Sequence, residues 1–169
     1  MNRPSTLRDI AEFSESLEDF GRYFQDWLHG LLALTSRPQV VAAISDEPRR
    51  LAKRFSQGAV ADAWLAAYAD FIAQKIRVPA PAWTDGRISP EPWFAVGGSD
   101  LRSRLPALRD SPNAFKSRNL YTPTVTLPLQ LSAGRPAKTA EELKHNNALR
   151  QKRFRERRRA ELRRLRKSR

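Results

Sequence analysis

Charge distribution constrains this 169-residue chain more than any other property. Residues 135–169 hold 15 Lys/Arg against 4 Glu, a net of +11, whereas residues 1–134 hold 16 Lys/Arg against 14 Asp/Glu, a net of +2. Nearly all of the formal +13 therefore lies in one terminal segment. A block of like charge at that density repels itself and cannot build an apolar core. It becomes compact or helical only where a polyanion cancels the repulsion. The pattern predicts a nearly neutral folded body and a nucleic-acid-binding arm.

Without the arm, roughly 130 residues are enough to bury a real core. The absence of cysteine excludes a disulfide scaffold and a thiolate metal site. The opening residues lack the apolar run of a signal peptide, and stretches such as Leu31 to Leu34 are far too short to span a bilayer. The expectation is a cytoplasmic protein with no membrane partner.

The body reads as helical. Ile10, Phe13, Leu17, Phe20, Phe24, Trp27, Leu31 and Leu34 recur at steps of three and four, the period of a helix with one buried stripe. Thr6 followed by Asp9 is a start signal, and Ser14 to Ser16 is a candidate break. Phe and Trp along this stripe suit the core of a small domain better than a dimeric coiled coil. Ser36-Arg37-Pro38 opens a short helix ending before Pro48, with Arg49 to Phe55 a further turn or two. Ala59 to Ile76 is the second strong helix, rich in alanine.

Four prolines between Val78 and Pro92, with Asp85-Gly86, predict a turn-rich connection that Trp83, Trp93 and Phe94 anchor. Asp100 to Arg109 is expected to be a short helix presenting Leu101, Leu105 and Leu108 on one face, with Pro106 inside it. Ser111-Pro112 opens another, reaching about Asn119. Tyr121 to Leu131 alternates Thr with Pro, Val and Leu and reads as an extended linker or edge strand leaving the body. The predicted fold class is all-α: a small irregular helical domain (residues 1–120), an extended Thr/Pro linker (121–138), and a long basic C-terminal helix or disordered arm (139–169).

Thr139 followed by Glu142 matches a capping box, and no proline or glycine follows it. A helix over all 31 residues would be about 46 Å long. Leu143, Phe154 and Leu165 make an apolar line too thin to hold it on a core. The expectation is an arm that is disordered when free and folds on phosphates. Arg135, Arg150, Lys152, Arg153, Arg155, Arg157, Arg158, Arg159, Arg163 and Arg164 are the candidate nucleic-acid contacts. Asn147 to Arg159 looks superficially like a bZIP basic region, but only Leu162 and Leu165 follow where leucine heptads are needed. Gly134-Arg135-Pro136 matches the core of an AT-hook only in part, because Ala133 precedes it. Phosphate neutralisation without base reading is the expected mode. DNA is the expected ligand, and RNA remains open because arginine-rich helices bind it readily.

Signatures of catalysis are missing. The two histidines, His29 and His145, form no ligand motif, and there is neither a Walker loop nor a nucleophile elbow. The reading is a non-enzyme with no cofactor and no metal. Asp46-Glu47 is expected to end a helix. Asp85, Arg109, Ser111, Arg118 and Asn119, near the aromatic cluster, are expected to cap helices and form surface ion pairs.

Several blocks carry a resemblance. They are the aromatic-rich first helical segment, the Ala-rich helix with Tyr68, the loop Pro79-Ala80-Pro81-Ala82-Trp83, and Glu91-Pro92-Trp93-Phe94. The stretch Asp110-Ser111-Pro112-Asn113-Ala114-Phe115-Lys116-Ser117-Arg118 completes the set. Residues 7–129 resemble small bacterial antitoxin-like or transcriptional-regulator proteins encoded beside a putative nucleotidyltransferase. Members carry Glu-Ser-Pro-Pro-Ala-Phe followed by arginines; here Asn113 replaces the second proline and Lys116-Ser117 interrupts the basic run. The resemblance implies a regulatory protein of a two-gene system whose body binds a cognate, nucleotidyltransferase-like toxin. Trp93, Phe94, Phe115 and Arg118 are the expected partner or anchor surface. Two other readings stay open: an inhibitor module whose tail has no specific nucleic-acid role, and an RNA-binding adaptor. A homo-oligomer is open as well.

Overall fold

The computed structural model describes residues 3–95, 100–123 and 125–131, together with Gln151, Phe154, Arg155 and Arg158. The chain divides into two units, Met1–Ser132 and Ala133–Arg169. The first is mostly helical and the small all-α body that the sequence implies.

Helix α1 (Leu7–Phe13) begins at a reciprocal cap. The Thr6 hydroxyl accepts from the Asp9 N–H at 3.1 Å, and the Asp9 carboxylate accepts from the Thr6 N–H at 2.9 Å. Burial pushes the Asp9 pKa up, but hydrogen bonds from Ser5 and Thr6 outweigh it and hold the group below the ordinary carboxylate value. The long amphipathic stripe then breaks at its serines. The buried Ser14 hydroxyl turns back to the Ile10 carbonyl at 2.6 Å, and Ser16 caps helix α2 (Leu17–Leu32) by accepting from the Asp19 N–H at 3.0 Å. Competition from these hydroxyls for the backbone ends one helix and starts the next. Helix α3 (Arg37–Ser45) follows, with Pro38 in its first turn and Val40, Ala43 and Ile44 buried.

No helix forms over Arg49 to Phe55, contrary to expectation; the segment is a run of turns. Its amides are taken elsewhere. The N–H groups of Leu51 and Ala52 both donate to the Asp62 carboxylate. Arg49 and Arg54 donate to the free carbonyls of Ala11 at the end of α1, at 3.0 and 3.1 Å, placing cations at the negative helix terminus. Helix α4 (Gly58–Ile76) is the central element and is buried around most of its circumference. Its alanines let α2, α3 and α6 approach closely. Gly58 is obligatory at its start, since a Cβ there would lie 1.9 Å from the Leu51 carbonyl oxygen.

Beyond α4 the proline-rich connection holds a single 3₁₀ turn (Ala82–Thr84). Trp83 pins it to the body, its indole N–H donating to the Ile44 carbonyl at 3.2 Å. Strand β1 (Trp93–Phe94) pairs in parallel with β2 (Leu120–Tyr121), Trp93 opposite Leu120. Asn119, in the left-handed region at φ 57°, turns the chain into β2, and its side-chain amide donates to the Ser89 carbonyl.

Helix α5 (Leu101–Asp110) forms with Pro106 inside it, as expected. Its leucines do not face the core: Leu101, Leu105 and Leu108 are 67%, 51% and 38% exposed. The helix approaches the body through the fully buried Ala107 instead. It is held there by Ser111, whose hydroxyl lies 2.5 Å from the Ala107 carbonyl and accepts from the Thr122 N–H at 2.7 Å. Helix α6 is only Asn113–Lys116. The chain that follows stays on the body. Leu127 is buried, and Val125, Leu129 and Leu131 pack against the core. The compact unit therefore runs to Ser132 rather than ending near residue 120, because these apolar side chains find a surface to cover.

Candidate functional site

Two features can meet partners: an aromatic groove on the body and the basic arm. The groove lies beside α2 and α4, with β1 at one side, and encloses about 340 Å³. From α2 it takes Leu17, Gly21 and Gln25, successive positions on one helix face; from α4 it takes Val60, Trp64 and Tyr68. Trp93 stands edge-on to Trp64, their ring centroids 5.4 Å apart. Phe115, fully buried, supports this wall from within at 5.4 Å from Trp64 and 5.1 Å from Tyr68. Burial pushes the Tyr68 phenol pKa up, so it stays a neutral hydroxyl.

Gly21 opens the groove. A Cβ built there meets no atom within 4 Å. A glycine inside a helix is unfavourable by roughly 0.5–1 kcal/mol relative to alanine, and no packing constraint in the body requires one here. Gly21→Ala is expected to raise stability by about that amount in urea unfolding followed by circular dichroism. A loss of stability would mean that the space is used in the free protein.

Of the four residues expected to form a partner or anchor surface, two lie inside as anchors. Phe115 is 0% exposed, and Arg118 is 8% exposed, donating to Asp70 at 3.0 Å and to the Ala114 carbonyl at 2.7 Å. Both hold α6 to α4 from inside, Phe115 through ring contacts with Trp64, Tyr68 and Phe71, and Arg118 through its pair with Asp70. Trp93 lines the groove. Phe94 stacks on Tyr121 at 4.9 Å, and the Arg104 guanidinium lies 4.6 Å from the centre of the Phe94 ring. Among the capping residues, Ser111 and Asn119 act as described above, and Arg109 pairs with Asp110 at 2.7 Å.

The main residues that sequence reasoning missed are Asp62 and Arg87, a buried pair at 3.1 Å. A signal existed: Asp62 is the lone charge in the apolar run Gly58 to Ala69. Arg87 and Arg118 are buried in pairs with Asp62 and Asp70, and Arg49 and Arg54 donate to the Ala11 carbonyl.

In the arm, Gln151, Phe154, Arg155 and Arg158 are helical and exposed, Phe154 at 65%. Their spacing places them on one helix face. The candidate contacts Arg135, Arg150, Lys152, Arg153, Arg157, Arg159, Arg163 and Arg164, and the Thr139–Glu142 capping box, lie outside the described residues. Among the described residues, no cluster of His, Asp or Glu could hold a metal ion, and no helix is long and apolar enough to cross a membrane. His29 is exposed on α2.

Compared with known proteins, the chain matches no family model, no curated protein and no solved structure.

Proposed function

We propose that this protein is an antitoxin-like, DNA-binding regulator of a bacterial two-gene system, acting in the cytoplasm. Its arm binds DNA through phosphates, and its body binds a cognate protein, nucleotidyltransferase-like by the resemblance of residues 7–129. The separation of charge carries this reading: +11 on 35 terminal residues against +2 on the rest. The burial of Arg87 and Arg118 in internal pairs sharpens the contrast, since these cations are not offered to a polyanion. The arm, with Arg155 and Arg158 exposed on one helical face, has no such internal claim on its described cations.

Deletion of residues 135–169 tests the division of labour. Retention on duplex DNA is expected to disappear while capture of the cognate protein, expressed from the neighbouring gene, persists. Unchanged DNA retention would reject the reading. An electrophoretic competition in which duplex RNA displaces DNA at equal concentration would replace it with the RNA-binding adaptor.

A further inference from the structure

The groove beside α2 and α4 continues past Trp93 into a second recess of about 300 Å³, and the two share Val60 and Trp93. The two adjoining recesses make a trough that is walled by aromatic rings in its first part and by Trp93 with Ala52, Gln57, Pro90 and Pro92 in its second. No lysine or arginine lines either part. That is a pointed omission in a chain with 31 basic residues. The one charged side chain that lines either recess is acidic. Glu91 lines the second recess. Glu18 lies on the same α2 row as Gly21 and Gln25, three and seven residues before them. Among the described residues neither Glu18 nor Glu91 has an ion-pair partner. Asp19, by contrast, is already neutralised by Arg22 at 2.8 Å.

We infer that this trough is the docking site for a basic amphipathic helix of the partner protein, apolar side inward and cations toward Glu18 and Glu91. The inference rests on the reading that the body binds a partner protein, and gives that partner's contact segment its chemistry. The stretch of α2 from Leu17 to Gln25 is about 12 Å long, two turns, which suits anchors at positions i, i+4 and i+7 of an incoming helix. Trp64 and Trp93 supply large, half-buried rings of the kind on which interface energy concentrates, and the buried Tyr68 stacks on Trp64. Gly21 leaves room for the incoming backbone. An acidic helix would meet the two unpaired carboxylates with like charge and be rejected.

Two synthetic 18-residue peptides with the same leucine face test this, one with lysine and the other with glutamate on the polar face. The full chain is titrated with each, and the indole N–H resonances of Trp64 and Trp93 are followed by NMR, with Trp83 as the internal reference. This readout ignores peptide that merely sticks to the arm. The lysine peptide is expected to shift both groove indoles and to bind at least about tenfold tighter than the glutamate peptide. Gly21→Leu, which fills open space, should abolish the shifts, and the double change Glu18→Lys, Glu91→Lys should erase the preference. Absence of shifts, equal response to both peptides, or shifts that survive Gly21→Leu would overturn the assignment. Nuclease-treated lysate passed over immobilised wild type and Gly21→Leu separates this failure from that of the reading beneath it. Identical captured proteins on both would overturn the trough alone, and nothing captured by either would overturn partner binding itself.

Discussion

Replacing Asp62 with alanine is expected to destabilise the protein by about 3–5 kcal/mol, the usual consequence of removing one partner from a buried ion pair. Asp62 is 2% and Arg87 1% exposed. The carboxylate accepts from the Leu51 and Ala52 N–H groups at 3.0 Å and from Arg87 at 3.1 Å. Arg87 also donates to the Trp83 carbonyl at 3.2 Å, to the Pro48 carbonyl and to Glu47 at 3.3 Å. Burial pushes the Arg87 pKa down, while the charges of Asp62 and Glu47 pull it back up. The alanine variant would leave a guanidinium without its main counter-charge and two amides without acceptors. It would thereby loosen the turn segment that covers the start of α4. Urea unfolding of Asp62→Ala and of the double change Asp62→Leu, Arg87→Met checks this. The double variant should recover much of the loss, since no uncompensated buried charge remains. A loss under about 1 kcal/mol for Asp62→Ala would show that water or local rearrangement replaces the carboxylate.

The second large effect concerns the arm. If it meets six to ten phosphates, affinity for duplex DNA should fall by roughly 10³–10⁵ between about 50 and 200 mM salt, as bound counterions are no longer released at a gain. Fluorescence anisotropy of a labelled duplex across that range measures the slope of log affinity against log salt. Arg155→Gln and Arg158→Gln should each reduce the slope by about 0.9 if each guanidinium neutralises one phosphate. Affinity should drop by a similar factor on unrelated sequences, because phosphate contacts carry no base information. A flat salt profile, or a slope that both variants leave untouched, would remove phosphate neutralisation as the mode of binding.

Local signals in this chain act within a few residues and were readable as such. Thr6 with Asp9, Ser16 with Asp19 and Pro38 in a first turn mark helix starts whose hydrogen bonds close over three or four positions. Of the stripe read from the period, Ile10, Phe20, Phe24, Trp27 and Leu31 are buried, whereas Leu17 is 40% exposed and Phe13 and Leu34 are half-buried, because the stripe is broken at Ser14 to Ser16 and its ends lie at helix termini. One reading failed where the decision lay far along the chain. Arg49 to Phe55 looked helical until Asp62, ten or more residues later, claimed its amides. The leucines of α5 share a face in sequence, but which face turns inward was not legible there: Ala107 is buried and the leucines are exposed. Phe115 and Arg118, read as a partner or anchor surface, lie inside, where they anchor α6 to α4. The groove was invisible in sequence: its two main walls are separated by some forty positions and its key position, Gly21, is the absence of a side chain.

Charge partition and the starts of most helices were thus determined by the amino-acid order alone, since repulsion within a run of cations and hydrogen bonds across one helical turn depend only on near neighbours. Tertiary structure decided which apolar residues are covered, which carboxylate braces the turn before α4, and where an aromatic groove opens on the nearly neutral body. Those outcomes depend on which distant segments compete for the same space and the same hydrogen-bonding partners, and that competition is resolved only when the chain packs.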